Sequence, residues 1–102
     1  MYITITTSQV TPDKLEAVES FLKEFYPRFQ KQPGVVGIYH FSRPEKGDEA
    51  TIVIWKDQES VKAYRESGLI KEAIAFEQKL NLPSSRESYP LIFSSDDTSK
   101  KF

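Results

Sequence analysis

The sequence predicts an α+β domain of order βαββαβ, a four-stranded antiparallel sheet with two helical regions on one face. Three observations carry this. β-Branched and aromatic residues dominate 2–9, 35–42 and 50–56; apolar residues at three- and four-residue steps run through two intervening stretches; Pro and Gly mark the joins.

The first strand is YITITTSQ, residues 2–9, where Ile3 and Ile5 alternate with Thr4 and Thr6. Thr11-Pro12-Asp13 reads as a helix start. Thr is the N-cap, Pro takes the first helical position where its missing N–H costs nothing, and Asp sits near the positive end of the helix dipole. Leu15, Val18, Leu22, Phe25 and Phe29 form one stripe along this helix, and Gln32-Pro33-Gly34 ends it. Residues 35–42, VVGIYHFS, and 50–56, ATIVIWK, are the second and third strands, joined by the hairpin loop RPEKGDE with Gly47 at its tip. A second helical region begins near Gln58, breaks or shifts at Ser67-Gly68 and resumes through Leu69, Ala73, Phe76 and Leu80, closing at Pro83. Residues 87–93, ESYPLIF, make the fourth strand, and Pro90, which has no ladder donor, puts it at an edge or bulge. The order is the ferredoxin-like arrangement. One domain spans residues 1–93, and a polar tail, SSDDTSKKF, spans 94–102.

Composition narrows the function classes. At 102 residues the chain forms one core, and a net charge of −1 with 38% hydrophobic residues describes a globular protein rather than a disordered one. No apolar run reaches membrane-spanning length, and the chain starts directly on MYITIT, so a cytoplasmic protein without a membrane partner is expected. The absence of cysteine excludes disulfides, a thiolate nucleophile and cysteine-ligated zinc. A single histidine, His40, excludes a His/His pair within one chain, so neither a metal nor a cofactor is expected. Basic residues interleave with acidic ones, as in KLEAVESFLKE, which is a solvated helix face rather than a phosphate-tracking stripe. An RNA-reading sheet of the same topology is disfavoured as well, since TIVIWKD lacks the glycine-aromatic pattern that stacks bases.

The middle strands are apolar on both faces. Ile52 and Ile54 oppose Val53 and Trp55, while by simple alternation Val36 and Ile38 oppose Val35, Tyr39 and Phe41. Two helices cover only one face. Burial of one such side chain is worth roughly 1.5–3 kcal/mol, so four left exposed would forfeit as much as a small domain's whole stability. A homodimer joined sheet to sheet is the expected cover.

The order βαββαβ, a third strand ending in Trp at IVIWKDQES, a helical aromatic nine residues after that Trp, and the apolar half-helix LIKEAIAF together resemble the antibiotic biosynthesis monooxygenase domain, across residues 2–93. The resemblance implies a dimeric α+β barrel with a pocket in each protomer between sheet and helices. Some members are cofactor-free oxygenases of polyphenols and others degrade haem. It also implies that Trp55 is a pocket wall with Tyr64 across from it. Many members carry His where this chain has Tyr64, which removes an imidazole ligand for haem and leaves only a phenolate as an alternative.

Each candidate residue carries two readings. Trp55 either fills the gap beneath a helix or stacks an aromatic substrate. Tyr64 is either core with a wet hydroxyl or a donor to a substrate oxyanion. His40 is the side chain whose ordinary pKa suits base catalysis near neutrality, unless it is structural; which sheet face carries it stays open. Phe76, with Phe21, Phe25 and Phe29, is either core or a substrate contact. On the catalytic reading His40 and Tyr64 act on a small aromatic compound held by Trp55 and Phe76, as in a cofactor-independent monooxygenase. The alternative is a non-catalytic homodimer that binds a small ligand or serves assembly.

Overall fold

Threonine and isoleucine alternate along the first strand, and its pairing decides which of them meets the helices. In the computed structural model, which describes residues 1–95, the elements are β1 (Tyr2–Gln9), α1 (Pro12–Phe29), β2 (Val35–Arg43), β3 (Asp48–Trp55), α2 (Gln58–Arg65), α3 (Gly68–Lys79) and β4 (Ser84–Pro90). The sheet is antiparallel throughout, in the order β2-β3-β1-β4. Most of the polar tail expected at 94–102, from residue 96 on, lies outside the described residues.

Trp55 and Val53 are buried beneath the helices at 0% and 3% exposure, so the residues opposite them share that inner face. On β1 those partners are Tyr2 and Thr4, followed by Thr6 and Ser8. The inner face of β1 is therefore its hydroxyl-rich one, and Ile3 and Ile5 point to the open side of the sheet. The core is closed by Phe25 and Phe29 of α1, Val61 and Tyr64 of α2, and Ile70 and Ala73 of α3.

The helices follow their sequence signals with two differences. Thr11 occupies the N-cap of α1, but its side chain makes no capping hydrogen bond. The helix stops at Phe29, before Gln32-Pro33-Gly34; Pro27 already removes a ladder donor in the last turn. Asp57 caps α2 by accepting from the Ser60 N–H at 2.8 Å, and Ser67 caps α3 by accepting from the Ile70 N–H at 3.4 Å, so the second helical region is two helices. Gly34 has φ +87°, and a Cβ there would lie 2.0 Å from the Ser60 hydroxyl oxygen; the chain enters β2 through a position only glycine fits.

Two strands differ from simple alternation. A bulge in β2 pairs Val35 with Trp55 and Gly37 with Ile54, leaving Val36 as the extra residue, 59% exposed. Past the bulge Ile38, His40 and Ser42 share the inner face, whereas Gly37, Tyr39 and Phe41 lie outside. Val35 packs on the core and Val36 does not, the reverse of the grouping simple alternation predicts. The fourth strand runs over Ser84–Pro90 rather than 87–93, so Pro90 ends it. It is an edge strand, held early by hydroxyl pairs between Thr7 and Ser85 and between Ser8 and Ser84, both 2.7 Å.

Candidate functional site

Above the hydroxyl-rich inner face of β1 lies a cavity of about 110 Å³. Its floor follows one row across the sheet. His40 pairs with Thr51, Thr51 with Thr6, and Thr6 with Arg86, placing one polar residue from each strand on the inner side. The roof is aromatic: Phe21 stacks on Phe76 at 4.0 Å and on Phe25 at 5.1 Å, and all three border the cavity.

At the β2 side of the floor four side chains form one hydrogen-bonded chain. Glu49 is 6% exposed, and its Oε1 lies 2.8 Å from His40 Nε2. Around His40 Nδ1 stand the Tyr26 hydroxyl at 2.8 Å and the Thr51 hydroxyl at 2.9 Å, themselves 2.6 Å apart. A carboxylate only accepts, so Nε2 carries the proton toward Glu49 and Nδ1 accepts from a hydroxyl. The second carboxylate oxygen, Oε2, is buried with no hydrogen-bond partner among the described residues. Burial pushes the Tyr26 phenol above its ordinary range, and the nearby Glu49 carboxylate adds to the shift against the opposing bond from Thr51.

At the β4 side Arg86 donates to Glu77 through both terminal nitrogens, at 2.8 and 2.5 Å, closing the floor with a paired charge. Tyr64 rises beside this pair. Its ring stacks on Phe29 at 4.5 Å, its hydroxyl makes no hydrogen bond among the described residues, and burial pushes its pKa up to about 12. Near neutrality the unliganded side chain is thus a phenol able to donate a hydrogen bond. Among the described residues no three His, Asp or Glu side chains gather as a metal site, and no helix is long and apolar enough to cross a membrane.

His40, Tyr64 and Phe76 all border the cavity, His40 because its pairing with Thr51 puts it on the inner face. Trp55 does not border it. The indole is fully buried behind Phe29 and Tyr64, and its Nε1 donates to the Thr4 hydroxyl at 2.9 Å, which corrects the expectation of a pocket wall. Among the cavity residues that escaped sequence reasoning are Tyr26, Glu49, Thr51 and Arg86. Glu49 had a signal, because it stands at period two from Thr51, Val53 and Trp55, and a carboxylate on a buried strand face is unusual. The polar run RPEKGDE masks it as hairpin loop, whereas it belongs to β3. Arg86 lay just before the segment read as the fourth strand, and Tyr26 stands off the apolar stripe of α1.

Solved structures with the same fold share little sequence. An assigned antibiotic biosynthesis monooxygenase from Deinococcus radiodurans superposes with a TM-score of 0.83 at 12% identity, covering 92% of this chain and 95% of that one. A conserved protein from Methanosarcina mazei gives 0.75 at 19% identity, with 86% and 89% covered. SnoaB, a cofactor-independent oxygenase from Streptomyces nogalater, gives 0.69 at 17% identity, with 94% and 97% covered. No functionally curated protein matches the chain. The family model for antibiotic biosynthesis monooxygenase matches residues 1–75, most of the chain, and the protein belongs to that family.

Proposed function

We propose that the protein is a cofactor-independent monooxygenase of a small phenolic compound bound in the cavity between sheet and helices. The observation that carries this reading is the placement of the chain's only imidazole, backed by the buried Glu49 carboxylate, against a cavity roofed by stacked phenyl rings. The cavity, about 110 Å³, is smaller than the closed cavity of about 150 Å³ that holds benzene, but it is open to solvent on one side, so a flat aromatic ring enters it with its far edge outside. His40 is the final acceptor of the phenolic proton. The electron-rich phenolate then reduces O₂, a C–O bond forms at the para carbon, and loss of water leaves a quinone. In sum one phenol and one O₂ become one quinone and one water. The protein supplies the base, a dry site and, from the free Tyr64 hydroxyl, a donor to the substrate oxygen.

The open face of the sheet is the place for a second copy in this reading. Ile3, Ile5, Tyr39, Phe41, Ala50, Ile52, Ile54 and Tyr89 lie on that face, with Tyr39 61% and Phe41 56% exposed. The charged residues Arg43 and Asp48, joined at 2.7 Å, lie at its rim. An apolar centre with a polar rim is the anatomy of a protein interface, and a two-fold axis lets one patch cover its own copy.

The reading is tested with chelator-treated protein and α-naphthol in an oxygen electrode. Oxygen consumption with naphthoquinone formation, lost in His40→Ala, supports it. Binding of phenols without oxygen consumption would make the protein a ligand-binding module instead.

A further inference from the structure

The environment of His40 leaves no imidazole nitrogen free. Nε2 is held by Glu49 Oε1 at 2.8 Å, and Nδ1 is flanked by two hydroxyls within 2.9 Å. A substrate entering the cavity cannot touch either nitrogen without first displacing one of these partners. We propose that His40 works at one remove: the Tyr26 hydroxyl is the catalytic group that meets the substrate, and Glu49 is a positioning residue that holds the imidazole as its proton acceptor. The inference rests on the oxygenase reading for its use, but its geometry stands independently.

The relay balances. The substrate O–H bond breaks as its proton passes to the Tyr26 oxygen. The Tyr26 proton passes in turn to His40 Nδ1, directly across 2.8 Å or by way of the Thr51 hydroxyl 2.6 Å away. The products are a substrate phenolate, a neutral Tyr26 and an imidazolium whose Nε2–H faces the Glu49 carboxylate. Of the two hydroxyls beside Nδ1, a phenol passes a proton on more readily than an alcohol, because its conjugate base is far more stable. The fixed tautomer is what makes the chain directional. With the Nε2 proton pinned on Glu49, the Nδ1 lone pair always faces the hydroxyls. Glu49 itself is buried, and its Oε1 is the oxygen that engages the ring, while Oε2 has no partner among the described residues. That arrangement concentrates the carboxylate's one hydrogen bond on the imidazole.

Because the chain contains a single histidine, nitrogen-isotope labelling of histidine reads this ring alone. In the wild-type protein at a pH where the ring is neutral, the spectrum should show one tautomer with the proton on Nε2, and Glu49→Gln should abolish that single-tautomer state. A wild-type ring protonated on Nδ1, or a tautomer indifferent to Glu49→Gln, overturns the relay. Oxygen uptake with α-naphthol supplies the second arm. Tyr26→Phe, a substitution that removes one oxygen and keeps the ring, should lower kcat by about 10²-fold with little change in KM. A Tyr26→Phe enzyme as fast as wild type overturns the role of Tyr26. The predicted tautomer together with no oxygen uptake would uphold the hydrogen-bonded chain and overturn the oxygenase reading, so the two failures are distinct.

Discussion

The rings of Trp55 and Tyr64 stand 5.4 Å apart, yet only Tyr64 borders the cavity. The indole lies one layer deeper, sealed by Phe29 and anchored to Thr4, so its energy goes into the fold. Trp55→Ala should destabilise the protein by about 3–5 kcal/mol, the range for a large buried aromatic. Trp55→Phe should retain affinity for α-naphthol. Denaturant melts check the first expectation and ligand titration of the folded variant the second; a folded Trp55→Phe protein that no longer binds phenols would put the indole back in the site.

Tyr64 makes stability depend on alkali. The unfolded phenol ionises near pH 10, while burial holds the folded one protonated up to about 12. The group's contribution is therefore complete below pH 10. Between 10 and 12 the unfolded state loses its proton and the folded state does not, so stability falls as pH rises through that window. Tyr64→Phe should show a flatter decline of Tm across it, while at neutral pH it should change little, because the hydroxyl has no partner to lose. Parallel pH curves for the two proteins would contradict the burial argument.

The open sheet face should make the protein a dimer. Static light scattering should give twice the 11.8 kDa chain mass, and Ile54→Arg, on that face opposite Ile3, should give monomer or aggregate by burying an unpaired charge. A monomeric wild type at micromolar concentration would contradict this, as would an unaffected Ile54→Arg dimer.

Element order, an interruption of the second helical region at Ser67-Gly68 and an edge or bulge position for β4 were legible in the sequence, because each rests on local signals: periodicity, a Ser-Gly pair, a proline without a donor. The bulge at Val36 was not. One extra residue leaves the alternation of VVGIYHFS intact to the eye while exchanging which face its first residues occupy, and only pairing with β3 reveals it. The start of β4 was hidden for a different reason. SSRES carries no apolar residue, since its inner face meets hydroxyls and its Arg86 meets Glu77. His40, Tyr64 and Phe76 were singled out by residue type. Trp55 was misplaced because a Trp at a strand end next to a helix suits a pocket wall and a core plug equally. Tyr26 could not be found without the tertiary structure, because it acquires meaning only when α1 is laid across His40 and Thr51.

The central claim is that O₂ reacts directly with a phenolate made by this protein, and the fate of the oxygen atoms tests it most directly. Under heavy-isotope O₂, chelator-treated protein turning over α-naphthol should place one heavy oxygen in the quinone and the other in water, and His40→Ala should lose this product. A quinone whose new oxygen comes from solvent water, or equal labelling with and without His40, would contradict the account.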